Sequence, residues 1–284
     1  MKPDTTPRPA PAATPAAGLP VPAAGMRPGQ RLSLRAWFLP TLVVAGVIGA
    51  WEVAVRVFQI PHYILPAPTE IVTVLVQRWD VFLKHTAITV AESVVGALVG
   101  IALGILLAFA MFLRSWLEQA FYPLLIASQN VPVFAIAPLL VVWFGYGFGS
   151  KIAMAAITVF FPMTVAALDG LKRTDSDWIR LFRTMGATRS QVFWRLRLPA
   201  AMPSVFSGLK LSAIYASVGA VLGEWAVAGA GLGYLMLSAN AQLRVAEVFA
   251  AILCLTPIGL VLLAIVVLLE RKLTPWQRVT RDAP

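Results

Sequence analysis

The chain has little of what soluble proteins and enzymes draw on. Of 284 residues, 13% are charged, one is cysteine and two are histidine. A single thiol, Cys254, excludes a disulfide within the chain and any cysteine-based zinc cluster. Its expected role is that of a small packing residue in an apolar helix. His62 and His85 do not form an H-E-x-x-H pair and are expected outside the apolar runs, so no hydrolytic metal site is in view. No G-x-x-x-x-G-K-[ST] stretch occurs, which leaves the chain without a P-loop for ATP. No Cys–His or Ser–His pairing falls within an apolar run. Neither an enzyme nor a cofactor-binding protein is expected.

What the chain does have is apolar length. Hydrophobic residues make up 59% of it, against about half in soluble domains. A helical span needs about 20 apolar residues, and six runs supply them: residues 37–58, 89–113, 121–144, 150–170, 204–228 and 246–269. The expected fold is therefore an all-α membrane protein of six transmembrane helices. The third run is interrupted by Pro123, Pro132 and Pro138, which a membrane helix tolerates where neighbours satisfy the freed carbonyls.

The net charge of +10 reports topology, not a nucleic-acid partner. Basic residues concentrate in the N-terminal tail, in residues 171–203 and after the last span (Arg271, Lys272, Arg278, Arg281). With six spans these regions share one side, and the positive-inside rule puts them and both termini in the cytoplasm. The opposite loops are expected to hold only Arg78, Lys84, Lys151 and Arg244, with Arg56 near one end.

The chain divides into four parts. Residues 1–36 form a Pro/Ala-rich cytoplasmic tail with too little apolar surface to offset its ordering entropy, and so are expected to be disordered. They lack the signal-peptide pattern, so the first span is expected to be an uncleaved anchor. Residues 37–88 hold the first span and an external interfacial helix. That helix is expected to be capped by Thr69, with Glu70, Thr73, Gln77, Asp80 and Lys84 as its polar stripe and Trp79 at its edge. Residues 89–270 form the transmembrane core, and residues 271–284 a basic cytoplasmic tail. Within the core, Gly96, Gly100, Gly104 and Ala108 line one face, and Gly208, Ser212, Ala216 and Ala220 another. Small residues at this period allow close helix packing, within the subunit or across a dimer axis.

The most informative stretch is RLFRTMGATRSQVFWRLRLP at residues 180–199, a basic insert between two apolar runs. It reads as a helical hairpin. Residues 174–177, Thr-Asp-Ser-Asp, supply capping and acidic groups at a helix start, and Gly186 is placed to terminate that helix in the left-handed region. Thr188 and Gln191 have capping-box spacing for a second helix, whose pattern ends at Pro199. A long basic hairpin in a lipid-soluble chain implies docking to a soluble partner.

Gly186, nine intervening residues, Leu196, one residue, then Leu198-Pro199 resembles the cytoplasmic coupling loop of binding-protein-dependent ABC importer permeases. The family's Glu-Ala-Ala triplet is replaced by Arg180, Leu181 and Phe182. The resemblance extends across residues 60–278. QNVPVFAIAPLLVVWFGYG at 129–147, FFP at 160–162, GEW at 223–225 and GLGYL at 231–235 resemble the sulfonate, taurine and nitrate permeases. SQNVP at 128–132 and LERKLTPW at 269–276 look closest to permeases for pyrimidine precursors of thiamine.

The resemblance implies a type I ABC importer permease fold in a bacterial plasma membrane, with coupling helices between spans four and five. It implies two copies of an ATPase subunit that binds the ATP, a second permease copy, and a periplasmic or extracellular solute-binding protein. It assigns ATPase docking to Gly186, Ala187, Leu196, Leu198 and Pro199, with Arg180 and Arg183 contributing.

Polar side chains within apolar runs are the candidates for a translocation pathway. Gln129 and Asn130 either line it or tie helices together. Glu224, beside Trp225, either bonds between helices as a gate or touches solute. Glu52 and Arg56 have the spacing of a local ion pair. Phe134, Trp143, Phe144 and Tyr146 could stack on a planar ring, and interfacial anchoring explains Trp143 and Tyr146 equally well. The rival class is an ion-gradient-driven transporter, which would call for internal repeats and clustered membrane acids; neither is evident in the sequence. A membrane scaffold that recruits a partner through its basic loop is the third reading. Dependence of transport on a separate ATPase separates the three.

Overall fold

The computed structural model describes residues 34–227 and 229–275, with side chains from Phe38 onward. The expectations for residues 1–33, for Ala228 and for the tail from Trp276 lie outside the described residues. Inter-residue contacts divide the chain at Thr41–Leu42, and the helical bundle belongs to the unit that begins at Leu42. Every regular element among the described residues is helical.

Five helices are long and apolar enough to cross a membrane: Phe38–Val57 within α1 (Leu34–Val57), α3 (Trp79–Leu113), α6 (Phe148–Lys172), the continuous helix Arg189–Ala226, and α11 (Val245–Leu273). The pair α4 (Ser115–Ser128) and α5 (Val133–Phe144), whose axes bend by 108°, is apolar and long enough only when taken together, and counted as one broken span it is the sixth candidate among the described residues. Of its three prolines only Pro132 marks the break, as the N-cap of α5; Pro123 and Pro138 lie inside the helices. At the corner the Asn130 side chain donates to the Ile126 and Ala127 carbonyls, both at 3.4 Å, and its own N–H also donates to Ala127, at 3.1 Å.

α3, α6 and the long helix form the packed centre. Both small-residue faces lie inside the subunit. Gly96, Gly100 and Gly104 meet α6 at Ala155, Ala156 and Met163, and Gly208 meets Ala166. At Gly100 a Cβ would collide with the Ala156 backbone, so this approach requires glycine. Large apolar side chains such as Leu98, Leu106, Leu260 and Leu268 are exposed on the outer faces. Lipid tails match that apolar surface.

The helix expected to lie in the membrane interface is shorter than its polar stripe predicts. α2 (Pro68–Gln77) ends at Arg78, and Trp79, Asp80 and Lys84 belong to α3. The stripe crosses a kink, and side-chain periodicity alone does not register a one-residue break. Nor is Thr69 the cap: Ala67 occupies that position with Pro68 following. The Thr69 N–H, open at a helix start, donates instead to Glu52 of α1 at 3.0 Å. Glu52 also accepts from Arg56 at 2.7 Å, so the local ion pair is present and anchors a second helix.

Candidate functional site

The hairpin closes by local hydrogen bonding. Asp175 accepts from the Asp177 N–H at 2.9 Å, capping α7 (Ser176–Thr184). At its end Gly186 takes φ +81°, its N–H donates to the Arg183 carbonyl, and the Ala187 N–H donates to Phe182, both at 3.0 Å. These are the paired bonds of a Schellman motif, which places glycine in the left-handed region. Thr188 and Gln191 close a reciprocal capping box at the start of α8 (Arg189–Val192), at 2.8 and 3.3 Å.

Pro199 does not end this second helix. The chain widens into a π turn at Phe193–Arg197, with the Leu198 N–H donating to the Phe193 carbonyl, and runs on as α9 (Leu198–Ala226). Proline lacks an N–H and its ring crowds the preceding turn; here it sits in the first turn after the π segment. The result is one helix of 38 residues, Arg189–Ala226, joining the hairpin to the opposite end of the bundle. Phe193 seats its base on α3, with ring centroids 5.7 Å from Phe109 and 6.1 Å from Phe112. Arg197 lies 5.0 Å from the centre of the Phe112 ring.

No residue of α7 is buried. Trp178, Leu181 and Met185, at helical spacing, expose an apolar stripe. Arg180 pairs with Asp177 on the same helix, and Arg183 is exposed without an ion-pair partner among the described residues. Ala187, Leu196, Leu198 and Pro199 are half-buried at the hairpin's base.

The pathway candidates do not form one site. Gln129 and Asn130 are exposed at the α4–α5 corner, and Asn130 bonds its own helix, not a neighbouring one. Phe134 and Tyr146 share a groove of about 450 Å³ with Pro138, Val141, Val142 and Ala226; Trp143 and Phe144 are exposed outside its lining. Trp225 is exposed and Glu224 fully buried.

Around Glu224 the fold assembles a polar cluster not legible in the sequence. Its carboxylate accepts from the Thr89 hydroxyl of α3 at 2.6 Å and from the Gly233 N–H. Gly233 lies in the first turn of α10 (Leu232–Ala241), where helix N–H groups lack internal partners. Glu92, also on α3 and buried, neighbours Glu224 and pairs with Lys151 at 3.0 Å. Lys151 is no loop residue but the fourth residue of α6, and it donates to the Ala230 carbonyl at 2.7 Å. His85, expected outside the spans, lies within α3 and accepts from the Gly231 N–H at 3.0 Å. Glu92 and Glu224, far apart along the chain, are thereby brought together in space. The one signal in the sequence is that a Lys in an apolar run needs a partner.

These features describe an all-helical bundle with apolar spans and an exposed hairpin continuous with a central helix. Residues 100–275 match the family described as the binding-protein-dependent transport system inner membrane component, and the chain belongs to that family. It is an ABC transporter permease subunit with the type I importer fold. It is 41% identical over 240 residues to the formylaminopyrimidine transport permease protein ThiX of Halalkalibacterium halodurans, covering 84% of this chain and 96% of that one. A probable ABC transporter permease of Haemophilus influenzae is 40% identical over 78% of this chain and 91% of its own. A riboflavin transport system permease of Chloroflexus aurantiacus is 31% identical over 87% and 93%.

Proposed function

We propose that this subunit carries a small pyrimidine, of the class of thiamine precursors, across the bacterial plasma membrane. A solute-binding protein delivers the solute, and two ATPase subunits drive two copies of this permease. The observation that supports the substrate class is the likeness to the formylaminopyrimidine permease over almost that protein's whole length. The coupling role of the hairpin is supported by its exposed stripe of Trp178, Leu181 and Met185, an apolar face without a cover on a segment built for rigidity. Arg180 and Arg183 flank that stripe, and Gly186, Ala187, Leu196, Leu198 and Pro199 fix its angle to the long helix. With the hairpin and both termini in the cytoplasm, the Glu224 cluster lies toward the outer face. Phe134 and Tyr146, facing one groove beside the end of α9, offer aromatic surface for a planar ring.

A second reading is an alkanesulfonate or taurine permease, favoured by 29% and 32% identity to permeases of those names in Bacillus subtilis and Escherichia coli. One experiment separates the two. ATP hydrolysis by the reconstituted permease–ATPase complex is measured with its binding protein against formylaminopyrimidine, hydroxymethylpyrimidine, thiamine, riboflavin, taurine, an alkanesulfonate and nitrate. Stimulation by a pyrimidine alone supports the first reading, and stimulation by taurine or a sulfonate replaces it. Failure of any ATPase to assemble with the chain removes the coupling role of the hairpin.

A further inference from the structure

Four consecutive residues after α9 have backbone groups held by side chains of other helices. The Ala230 carbonyl accepts from Lys151 of α6 at 2.7 Å. The Gly231 N–H donates to His85 of α3 at 3.0 Å, the Leu232 N–H to Thr89 of α3 at 2.8 Å, and the Gly233 N–H to Glu224 of α9. Thr89 bridges, since its hydroxyl also donates to Glu224. Gly231 takes φ +114°, and a Cβ there or at Gly233 would meet the Glu224 carboxylate.

This is an unusual way to hold a connection between two helices. Leu232 and Leu235 anchor α10 in an apolar core with Ile71, Phe82, Ala250 and Ile258. The join to α9 is different in kind: polar, glycine-containing, and exposed at Gly229. Parting α9 from α10 there would break these hydrogen bonds together, so the join opens only where water or new partners take up the freed groups. Buried charged groups contribute little to stability over apolar packing of the same shape. The cluster's distinctive property is position, at the far end of the helix that begins in the coupling hairpin.

We propose that Glu224 is a positioning residue of alternating access: with Thr89 it latches the outer end of α9 to α10 and α3, and Lys151 holds the adjoining carbonyl. Displacement of the hairpin by the ATPases moves the 38-residue helix as a rod and releases the latch. This inference rests on the permease reading above. It assigns to Glu224 the gating choice between helix-to-helix bonding and solute contact.

The test compares Glu224→Gln with the native permease in the complete permease–ATPase complex. Glutamine keeps the shape and still accepts from Gly233 or Thr89, but replaces one of the two oxygens that accept from them by an NH2 group. Hydrolysis is first read with ATP alone, then with binding protein and formylaminopyrimidine, and uptake per ATP is read in vesicles. Resting hydrolysis in the variant should rise roughly five-fold or more, and uptake per ATP should fall. A merely structural loss would lower resting and stimulated hydrolysis together. Native resting hydrolysis with native uptake per ATP would overturn the latch, as would a parallel loss of both. Should Glu224→Gln fail to assemble, Thr89→Val removes one hydroxyl at nearly constant volume. It is then measured in the same way, and the same outcomes support or overturn the latch. A native complex that responds to no solute would instead count against the substrate reading, because the ATP-alone comparison needs no solute.

Discussion

The long helix Arg189–Ala226 has a polar device at each end, and the two are built in opposite ways. At the hairpin, all the fixing bonds join residues within five positions of one another, and the surface they fix is exposed. At the far end, the bonds join α3, α6, α9 and α10 across as many as 146 positions, and the side chains that make them are mostly buried. The first is a locally braced, exposed surface, which is what the proposed coupling role requires. The second is an internal junction whose members mean nothing separately. Local capping suffices where a partner supplies the missing burial, whereas a junction inside a membrane protein must satisfy every polar group from within.

The sharpest test of that contrast is at its two glycines of positive φ. Around Gly186 a Cβ would meet nothing within 4 Å, so only backbone conformation demands glycine. Gly186→Val should abolish uptake while leaving membrane insertion intact, because a β-branched residue resists positive φ. Gly186→Asn should retain most uptake, since asparagine enters that region. Gly231, at φ +114° and ψ +169°, sits in a region that only glycine enters, and a Cβ there would also collide with Glu224. Gly231→Asn should therefore fail where Gly186→Asn succeeds. Uptake in vesicles at matched expression reads all three, and equal tolerance at both positions would erase the distinction.

A smaller effect probes whether the buried end is balanced as a pair. Lys151→Met leaves Glu92 buried without its cation and should lower stability by about 3–5 kcal/mol, seen as a drop in the thermal unfolding midpoint in detergent. Adding Glu92→Gln removes the orphaned charge and should restore most of that loss. If the double variant is no better than the single, Lys151 answers to Glu224 more than to Glu92. Both variants leave the hairpin untouched, so ATPase assembly should survive wherever folding does.

The difference between the two ends is also the difference in what the sequence discloses. Gly186 and Thr188–Gln191 are readable because a turn and a capping box are fixed by spacing within a few residues. Lys151 falls at the very edge of the apolar run that begins at residue 150 and is counted there as a loop charge; the fold begins α6 at Phe148 and places Lys151 inside it beside Glu92. Glu224 stands out as a membrane acid, but its partners lie 135 positions away in Thr89 and beyond a glycine turn in Gly233. Pro199 misleads for a related reason. Proline breaks a regular helix, and only a π turn, which no residue pattern announces, lets it sit inside a continuous one. The six apolar runs are legible as spans, yet the 108° bend at Pro132 is legible only as an interruption.

The weakest bonds of the exposed end set the lower bound of the comparison. Thr188→Ala removes one half of the capping box and should cost about 1 kcal/mol of local helix stability. That loss falls on a four-residue helix already continuous with α9, so uptake should fall only modestly. Asp177→Asn should matter less still. The Asp177–Arg180 pair is exposed on both sides, and ion pairs of that kind contribute little and are screened by salt. Freed from Asp177, Arg180 becomes available to the ATPase, so affinity of the ATPase for the variant should stay at the native value or rise slightly at low ionic strength. Titration of ATPase onto permease vesicles at two salt concentrations measures this. A marked loss of affinity would show instead that the pair, and not the apolar stripe of Trp178, Leu181 and Met185, carries recognition.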